Sequence, residues 1–250
     1  MKKKILQISD IHIGSKEEAM GIDVRSNFQN CLKEGMGRGV DALIITGDLC
    51  LKEGTMETYH WIRQILDGLE VPWFVLPGNH DDSAMMSEAF SLQNHYHCKD
   101  SEFYQVFQWA QRTLFLLDTA KGDLSEVQRS WLVTELKNQD TSIPPLIFMH
   151  HPPIHLSVPH MDEMDIPSPD TQRFIKTLKT CESHVHVFVG HYHADKIVQM
   201  SGMTVWACPS TYYQMSQSVK EFSIEDLRPG YRLIEIQPDR ILVNSHFMEV

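Results

Sequence analysis

The sequence predicts an α/β fold in which short buried strands alternate with helices around one or two sheets. Three observations predict it. Apolar runs of strand length recur, the clearest being "KILQIS", "DALIIT", "PWFVLP", "PLIFM" and "HVHVFVG". Between them lie segments whose apolar residues repeat at helical spacing. With 250 residues and 42% apolar content, the chain can bury the core such a fold needs as one domain spanning 1–250.

In chain order, residues 4–9 read as the first strand. A helix follows from Asp23, because Val24, Phe28, Cys31 and Leu32 fall on one face. Residues 41–46 are continuously apolar, as in a strand covered on both sides. The next helix starts near Thr55 and carries Ile62, Ile65, Leu66 and Leu69 on one face. Residues 72–77 form the third strand, and residues 102–118 read as an antiparallel pair. Ser125 caps a helix, with Gln128 placed for a capping box, and Val127, Trp131, Leu132 and Leu136 are expected to face inward. A strand at 145–149 precedes a helix in "SPDTQRFIKTLKTC", which has Pro169 at its first position. The strand 184–190, then "TVWACP" and a hairpin at 230–247, complete the order. Residues 154–168 stand out as a polar, Met-rich segment suited to a small cap over a pocket.

Composition excludes several classes. Net charge is −11 and no Lys/Arg-rich run follows residue 4, so duplex nucleic acid is not an expected partner. No apolar run approaches the ~18 residues of a membrane span. The basic start "MKKK" leads into a strand rather than the apolar core of a signal peptide. Five widely spaced cysteines (Cys31, Cys50, Cys98, Cys181 and Cys208) suit reduced thiols better than a disulfide framework. A cytoplasmic location is expected.

The strands share one feature that a core does not require. "LQISDIH" ends in Asp10 and His12, "IITGD" in Asp48, and "VLPGNH" in Asn79 and His80. "LIFMHH" ends in His150 and His151, and "VFVGHYH" in His191 and His193. Strand carboxyl ends are where open α/β sheets form ligand crevices. A lone Asp or His after a strand is ordinarily a turn or cap residue, but five repeats of the pattern are not explained that way. Carboxylate, amide and imidazole donors together suit a pair of first-row metal ions such as Mn, Fe, Co or Zn. No cysteine joins the group.

In this order and spacing, "DIH", "GD", "GNHD", "HH" and "GHYH" resemble the five motifs of the calcineurin-like metallophosphoesterase superfamily. "LPGNHDD", "FMHHPP", "GIDVRSN" and "PSTYYQ" look most like its class III cyclic-nucleotide phosphodiesterase and glycerophosphodiesterase group. The resemblance implies a two-sheet β-sandwich flanked by helices, in four layers. It implies one metal held by Asp10, His12, Asp48 and His193, and another held by Asp48, Asn79, His150 and His191, with Asp48 shared. His80 would contact the phosphoryl group, with Asn79 beside it, and His151 would either stand behind the ligands or line the substrate pocket. A water shared between two metals would attack in line, and His80 would stabilise the transition state or protonate the leaving alkoxide.

Two dications against Asp10 and Asp48 leave about two positive charges, or about one with a shared hydroxide, which matches a diester better than a monoester dianion. "LCLKEG" after Asp48 lacks the Asp-Arg-Gly of phosphoprotein phosphatases. A small phosphodiester, either a cyclic nucleotide such as cAMP or a glycerophosphodiester, is the expected substrate. The alternatives are a phosphomonoesterase or nuclease of the same superfamily, and an inactive metal-bound scaffold. Asp81 and Asp82 are candidates to orient His80, of which at most one can serve, and the sequence leaves the orienting group open. His184 and His186 are expected on one strand face, His95 and His97 in a surface loop, and Arg25 on a helix surface. The hairpin at 230–247 offers a surface for a homodimer.

Overall fold

The chain begins in the middle of a sheet. Strand β1 (Lys3–Ile8) is followed by α1 (Val24–Gly37), β2 (Ala42–Thr46), α2 (Met56–Leu66), β3 (Trp73–Leu76) and α3 (Ser83–Ala89). Next come β4 (His97–Lys99), β5 (Glu102–Trp109), β6 (Arg112–Leu116), α4 (Glu126–Asn138), β7 (Leu146–Phe148), α5 (Pro159–Met164) and α6 (Pro169–Leu178). The order closes with β8 (Val185–Val189), β9 (Lys196–Met200), β10 (Met203–Ala207), β11 (Gln214–Met215), β12 (Ile224–Asp226), β13 (Gly230–Ile236) and β14 (Ile241–Phe247). This computed structural model describes residues 2–249 except 95, 100, 140–142, 165–168 and 179–183, and leaves out the side chains of 94, 99 and 169–171. His95, Cys181 and the last four residues of the expected cap lie outside the described residues.

Two large sheets form. One has the order β14-β13-β1-β2-β3, and the other has β4-β5-β6-β7-β8-β10-β9. β1, β2 and β3 run parallel in the first, and β6, β7, β8 and β10 run parallel in the second. Alternation along the second sheet sorts its side chains. Leu114, Leu116, Phe148 and Phe188 join the core that includes Ile44 and Ile45 of β2. Phe115, Ile147 and Val187 turn the other way, against Leu132 and Leu136 of α4 and Phe174 and Leu178 of α6. Phe28 of α1 and Ile62 of α2 pack on the first sheet. The result is the expected helix–sheet–sheet–helix sandwich.

Capping residues start the helices where the sequence indicates. Asp23 accepts from the Ser26 N–H at 3.1 Å and Thr55 from the Thr58 N–H at 3.3 Å. Two expectations for α4 fail. Ser125 does accept from the Gln128 N–H at 3.1 Å, but the Gln128 amide does not fold back onto the cap. It bridges the Asp118 N–H and C=O, each at 2.8 Å, which draws Gln128 into the interior. That rotation leaves Val127 41% exposed while Leu132 and Leu136 stay buried. The short elements α3, β4, α5, β9, β11 and β12 are additions to the predicted order. The hairpin at 230–247 is present and is part of the first sheet, because β13 pairs along β1 from Lys3↔Ile236 to Gln7↔Arg232.

Candidate metal centre

The carboxyl ends of β1, β2 and β3 from one sheet, and of β7 and β8 from the other, meet at one edge of the sandwich. Backbone bonds lace the exits together. Asp10 N–H donates to Gly47 C=O at 3.1 Å, His12 N–H to Asp48 C=O at 2.9 Å, and Gly190 N–H to His150 C=O at 3.1 Å. The Asp10 carboxylate crosses between the sheets and accepts from the His191 N–H at 2.9 Å. Close approach makes glycine necessary at two of these exits. A Cβ on Gly78 would collide with the backbone and carboxylate of Asp48, and one on Gly190 with Ser9 Oγ and, at 2.8 Å, with Asp10 Oδ2.

Two groups of donors result. Asp10, His12, Asp48 and His193 place ligand atoms within 4.8 Å of one another, and so do His150, His151 and His191. Asp48 joins them: its Oδ2 lies 3.5 Å from His12 Nε2 and 3.4 Å from His150 Nε2. Asn79 Oδ1 stands 3.3 Å from that same His150 nitrogen. All seven residues assigned as ligands from the sequence are thus at one locus, and Asp10, His12, Asp48, His150 and His193 are buried.

The donor chemistry fits cations. His150 Nδ1 lies 2.8 Å from Thr46 C=O and His193 Nδ1 lies 3.2 Å from Tyr213 C=O. A carbonyl only accepts, so each Nδ1 carries the proton, and in the neutral ring each Nε2 presents a lone pair to the site. His12 Nε2 and His193 Nε2 face each other at 3.0 Å, while the buried Nδ1 of His12 has no hydrogen-bond partner. Burial holds both His12 and His193 down to about 4, so both rings are neutral and able to bind metal. His150 shows the opposite demand. Against the effect of burial, the carboxylates of Asp48 and Asp10 raise it to about 9, so positive charge is favoured at that point.

The structure separates the adjacent histidines 150 and 151. Thr119 Oγ accepts from the His150 N–H at 3.2 Å and the His151 N–H at 3.1 Å, and it lies 3.3 Å from His151 Nδ1. With both lone pairs occupied, the hydroxyl donates to Nδ1, and a neutral His151 then carries its proton on Nε2. Burial, followed by the neighbouring His191 and His150, pushes the His151 pKa well down and keeps it neutral. In that tautomer His151 is a hydrogen-bond donor rather than a metal ligand.

His80 is oriented by neither candidate carboxylate. Its Nδ1 lies 3.0 Å from Lys52 C=O and its N–H donates to Asp48 Oδ1 at 3.0 Å. Asp81 turns back into the loop and accepts from the N–H groups of Leu49, Cys50 and Gly78 and from the Tyr59 hydroxyl. Asp82 caps α3, accepting from the Met85 N–H at 2.8 Å. His12, Asp48, Asn79, His80, His191 and His193 open onto a cleft of about 210 Å³ whose other walls are Leu51, Met161, Tyr212, Tyr213 and Met215. Met161 belongs to the segment expected to form a cap.

The discounted residues lie elsewhere. Arg25 rests on the Trp61 ring at 4.6 Å, and His97 of β4 packs against both Tyr104 and Trp131. His184 pairs with Thr204 at 2.7 Å, and His186 accepts from Trp206 Nε1 at 3.2 Å, both across one face of the second sheet. Sequence reasoning missed Thr119 and the Lys52 carbonyl. Thr119 offers no metal-ligand signal, and a backbone carbonyl has no sequence signature.

A four-layer sandwich with Asp, Asn and His donors across its strand ends is the frame of a metal-dependent phosphoesterase. The chain belongs to the calcineurin-like phosphoesterase family, whose profile matches residues 3–195. A probable cyclic nucleotide phosphodiesterase of Fibrobacter succinogenes is 34% identical over 94% of this chain and 91% of its own length. A glycerophosphodiester phosphodiesterase GpdQ of Enterobacter lignolyticus is 30% identical over 91% of this chain and 82% of its own. A dimetal phosphatase of Danio rerio shares the fold, with a TM-score of 0.75, 14% identity and coverage of 97% of this chain and 95% of that one. The Asp and His side chains are positioned for divalent metal, and among the described residues no helix is long and apolar enough to cross a membrane.

Proposed function

We propose that this chain hydrolyses small phosphodiesters with two divalent first-row metal ions, drawn from Mn, Fe, Co or Zn. One ion is held by Asp10, His12, Asp48 and His193, the other by Asp48, Asn79, His150 and His191. The observation that carries this reading is Asp48 Oδ2, which stands between a ligand nitrogen of each group at 3.5 and 3.4 Å. When bound, the metals supply Lewis acidity that lowers the pKa of a coordinated water and neutralises charge on the phosphate.

The chain's own residues do the rest. Carbonyls of Thr46 and Tyr213 fix the rings of His150 and His193 so that their Nε2 lone pairs point inward. The Lys52 carbonyl holds His80 Nδ1–H, so it is the imidazolium form of His80, protonated at Nε2 as well, that passes a proton from Nε2 to the departing alkoxide and is left as the neutral ring. Asn79 turns Oδ1 toward the His150 side, and its amide N–H groups are free to hold a phosphoryl oxygen. His151 Nε2–H, set by Thr119, is a second neutral donor to substrate. Among the described residues no Arg or Lys lines the cleft, so nothing beyond the metals is provided for the extra charge of a monoester. The names of the relatives support a cyclic nucleotide or a glycerophosphodiester as substrate. The four described cysteines, Cys31, Cys50, Cys98 and Cys208, are free thiols, in keeping with a reducing cytoplasm.

The test is hydrolysis of bis-p-nitrophenyl phosphate against p-nitrophenyl phosphate by protein stripped with chelator and reloaded with Mn²⁺. A preference for the diester that vanishes without metal is expected. A preference for the monoester, or full activity in Asp48→Ala, rejects the proposal.

A further inference from the structure

The cleft has one wall the metal chemistry does not use. From His193 outward, the rings of Tyr213 and Tyr212 follow at centroid distances of 4.7 and 6.4 Å, and Tyr212 also lies 5.4 Å from the His12 ring. Phe222 meets Tyr213 edge-on at 6.0 Å and His160 of α5 at 5.8 Å. Phe222 is 52% exposed, so the aromatic run that starts in the cleft continues past Tyr213 to a half-exposed ring just outside the cleft lining. The rim is braced. His160 Nδ1 lies 2.9 Å from Lys220 C=O, Lys220 pairs with Glu163 at 2.5 Å, and the Tyr192 hydroxyl donates to Asp162 at 2.9 Å. Held this way, α5 brings Met161 to the cleft beside Met215. Neither Tyr212 nor Tyr213 makes a hydrogen bond through its hydroxyl to any described residue.

We propose that Tyr213 and Phe222, with Met161 and Met215, form a subsite for a planar heteroaromatic group, and that the preferred diester therefore carries a nucleobase rather than glycerol. This rests on the phosphodiesterase reading above and selects within it. A polyol gives up hydrogen bonds to water and needs Asp, Asn, Gln or Arg to replace them. Beyond the metal-side residues the cleft is lined only by Leu51, Met161, Met215 and two phenols, and the polar groups at the rim are engaged, Lys220 with Glu163 and His160 with the Lys220 carbonyl. A nucleobase gains from stacking on aromatic rings and from polarisable Met sulfur, and its ring nitrogens accept from phenol hydroxyls.

The first measurement is kcat/KM for adenosine 3′,5′-cyclic monophosphate against glycerophosphoethanolamine, in the wild type, Phe222→Ala and Phe222→Trp. The ratio is expected to favour the nucleotide, to fall about tenfold in Phe222→Ala, and to recover in Phe222→Trp. The second is saturation-transfer NMR with adenosine 5′-monophosphate and metal-free protein, in which adenine protons should receive more saturation than ribose protons, and less in Phe222→Ala. Diester hydrolysis with no nucleotide preference, or saturation confined to ribose, overturns the subsite and leaves the phosphodiesterase reading intact. Absence of all diester hydrolysis overturns that reading instead, while the NMR contact pattern still decides the subsite.

Discussion

Asp81 provides the sharpest test of how the metal loops are built. Its carboxylate accepts from the Gly78 N–H at 2.9 Å, Leu49 N–H at 3.0 Å, Cys50 N–H at 3.2 Å and Tyr59 hydroxyl at 3.2 Å. It thereby ties the turn after Asp48 to the turn that carries Asn79 and His80. Four hydrogen bonds to a charged acceptor contribute about 6 kcal/mol at the low end of their range. Burial of the carboxylate, aided by the nearby Asp48, outweighs these bonds and lifts the Asp81 pKa from 3.8 to about 6. Asp81→Ala leaves three backbone donors without their acceptor, at about 1 kcal/mol each at the low end, and should therefore lose about 3 kcal/mol in urea unfolding followed by tryptophan fluorescence. Both metal-bearing turns then loosen together and metal affinity should fall as well, read by isothermal titration calorimetry. A loss below about 1 kcal/mol with wild-type metal affinity would show that the two turns hold their shape without Asp81.

Three further outcomes follow from the same contacts. Thr119→Val removes the shared acceptor of the His150 and His151 amides and should weaken metal binding about 10- to 100-fold by calorimetry, with Thr119→Ser near wild type; equal affinity in the valine variant refutes the role. Asp48→Ala, which removes an oxygen that stands between the two groups, should lower metal content measured by atomic absorption and cut diester hydrolysis by more than about 100-fold. Burial raises the Asp118 carboxyl from 3.8 to about 6, so its stabilising contribution is complete below the unfolded value and is lost as pH rises through the folded one. Between those values Asp118→Asn should show a stability slope shallower than wild type by a total of about 3 kcal/mol in urea titrations across that range, and parallel slopes would refute the assignment.

The five strand ends were legible because each ligand sits directly after a contiguous apolar run, and because Asp, Asn and His there have no packing reason to recur. The four-layer architecture followed from the resemblance those motifs carry. What stayed hidden depends on contacts between segments distant in sequence. Thr119 reaches the His150 and His151 amides only because β6 and β7 are neighbours, in register from Leu114↔Leu146 to Leu116↔Phe148. Val127 was misplaced because its periodicity suggested burial, whereas the structure buries Gln128, whose amide satisfies both backbone groups of Asp118. Asp82 carried a readable sign, an Asp directly before a helix, but its neighbours in "GNHDD" drew it toward the active site instead.

The backbone conformation of the ligands was also invisible in the sequence, and it bears directly on metal binding. Asp10, His12, Asp48, His191 and His193 all have left-handed backbone, with φ of 54°, 44°, 51°, 69° and 45°. For residues with a Cβ this costs on the order of 1 kcal/mol each, and such conformations persist only where the surroundings over-determine them. Here they do. The Asp10–Gly47 and His12–Asp48 backbone bonds, the Asp10 carboxylate on the His191 amide, and the Met215 N–H on His193 C=O at 2.7 Å fix these residues from both sheets. Extended backbone would carry the second residue of each motif about 6.6 Å farther along the strand. Left-handed residues turn the chain within the motif instead, and Asp10 and His12 place their ligand atoms within 4.8 Å of one another. The strain therefore accompanies a tight turn that keeps both residues of a short motif at one site. Because the folded sheets already hold it, a metal arriving there finds its ligands placed and does not have to order the chain.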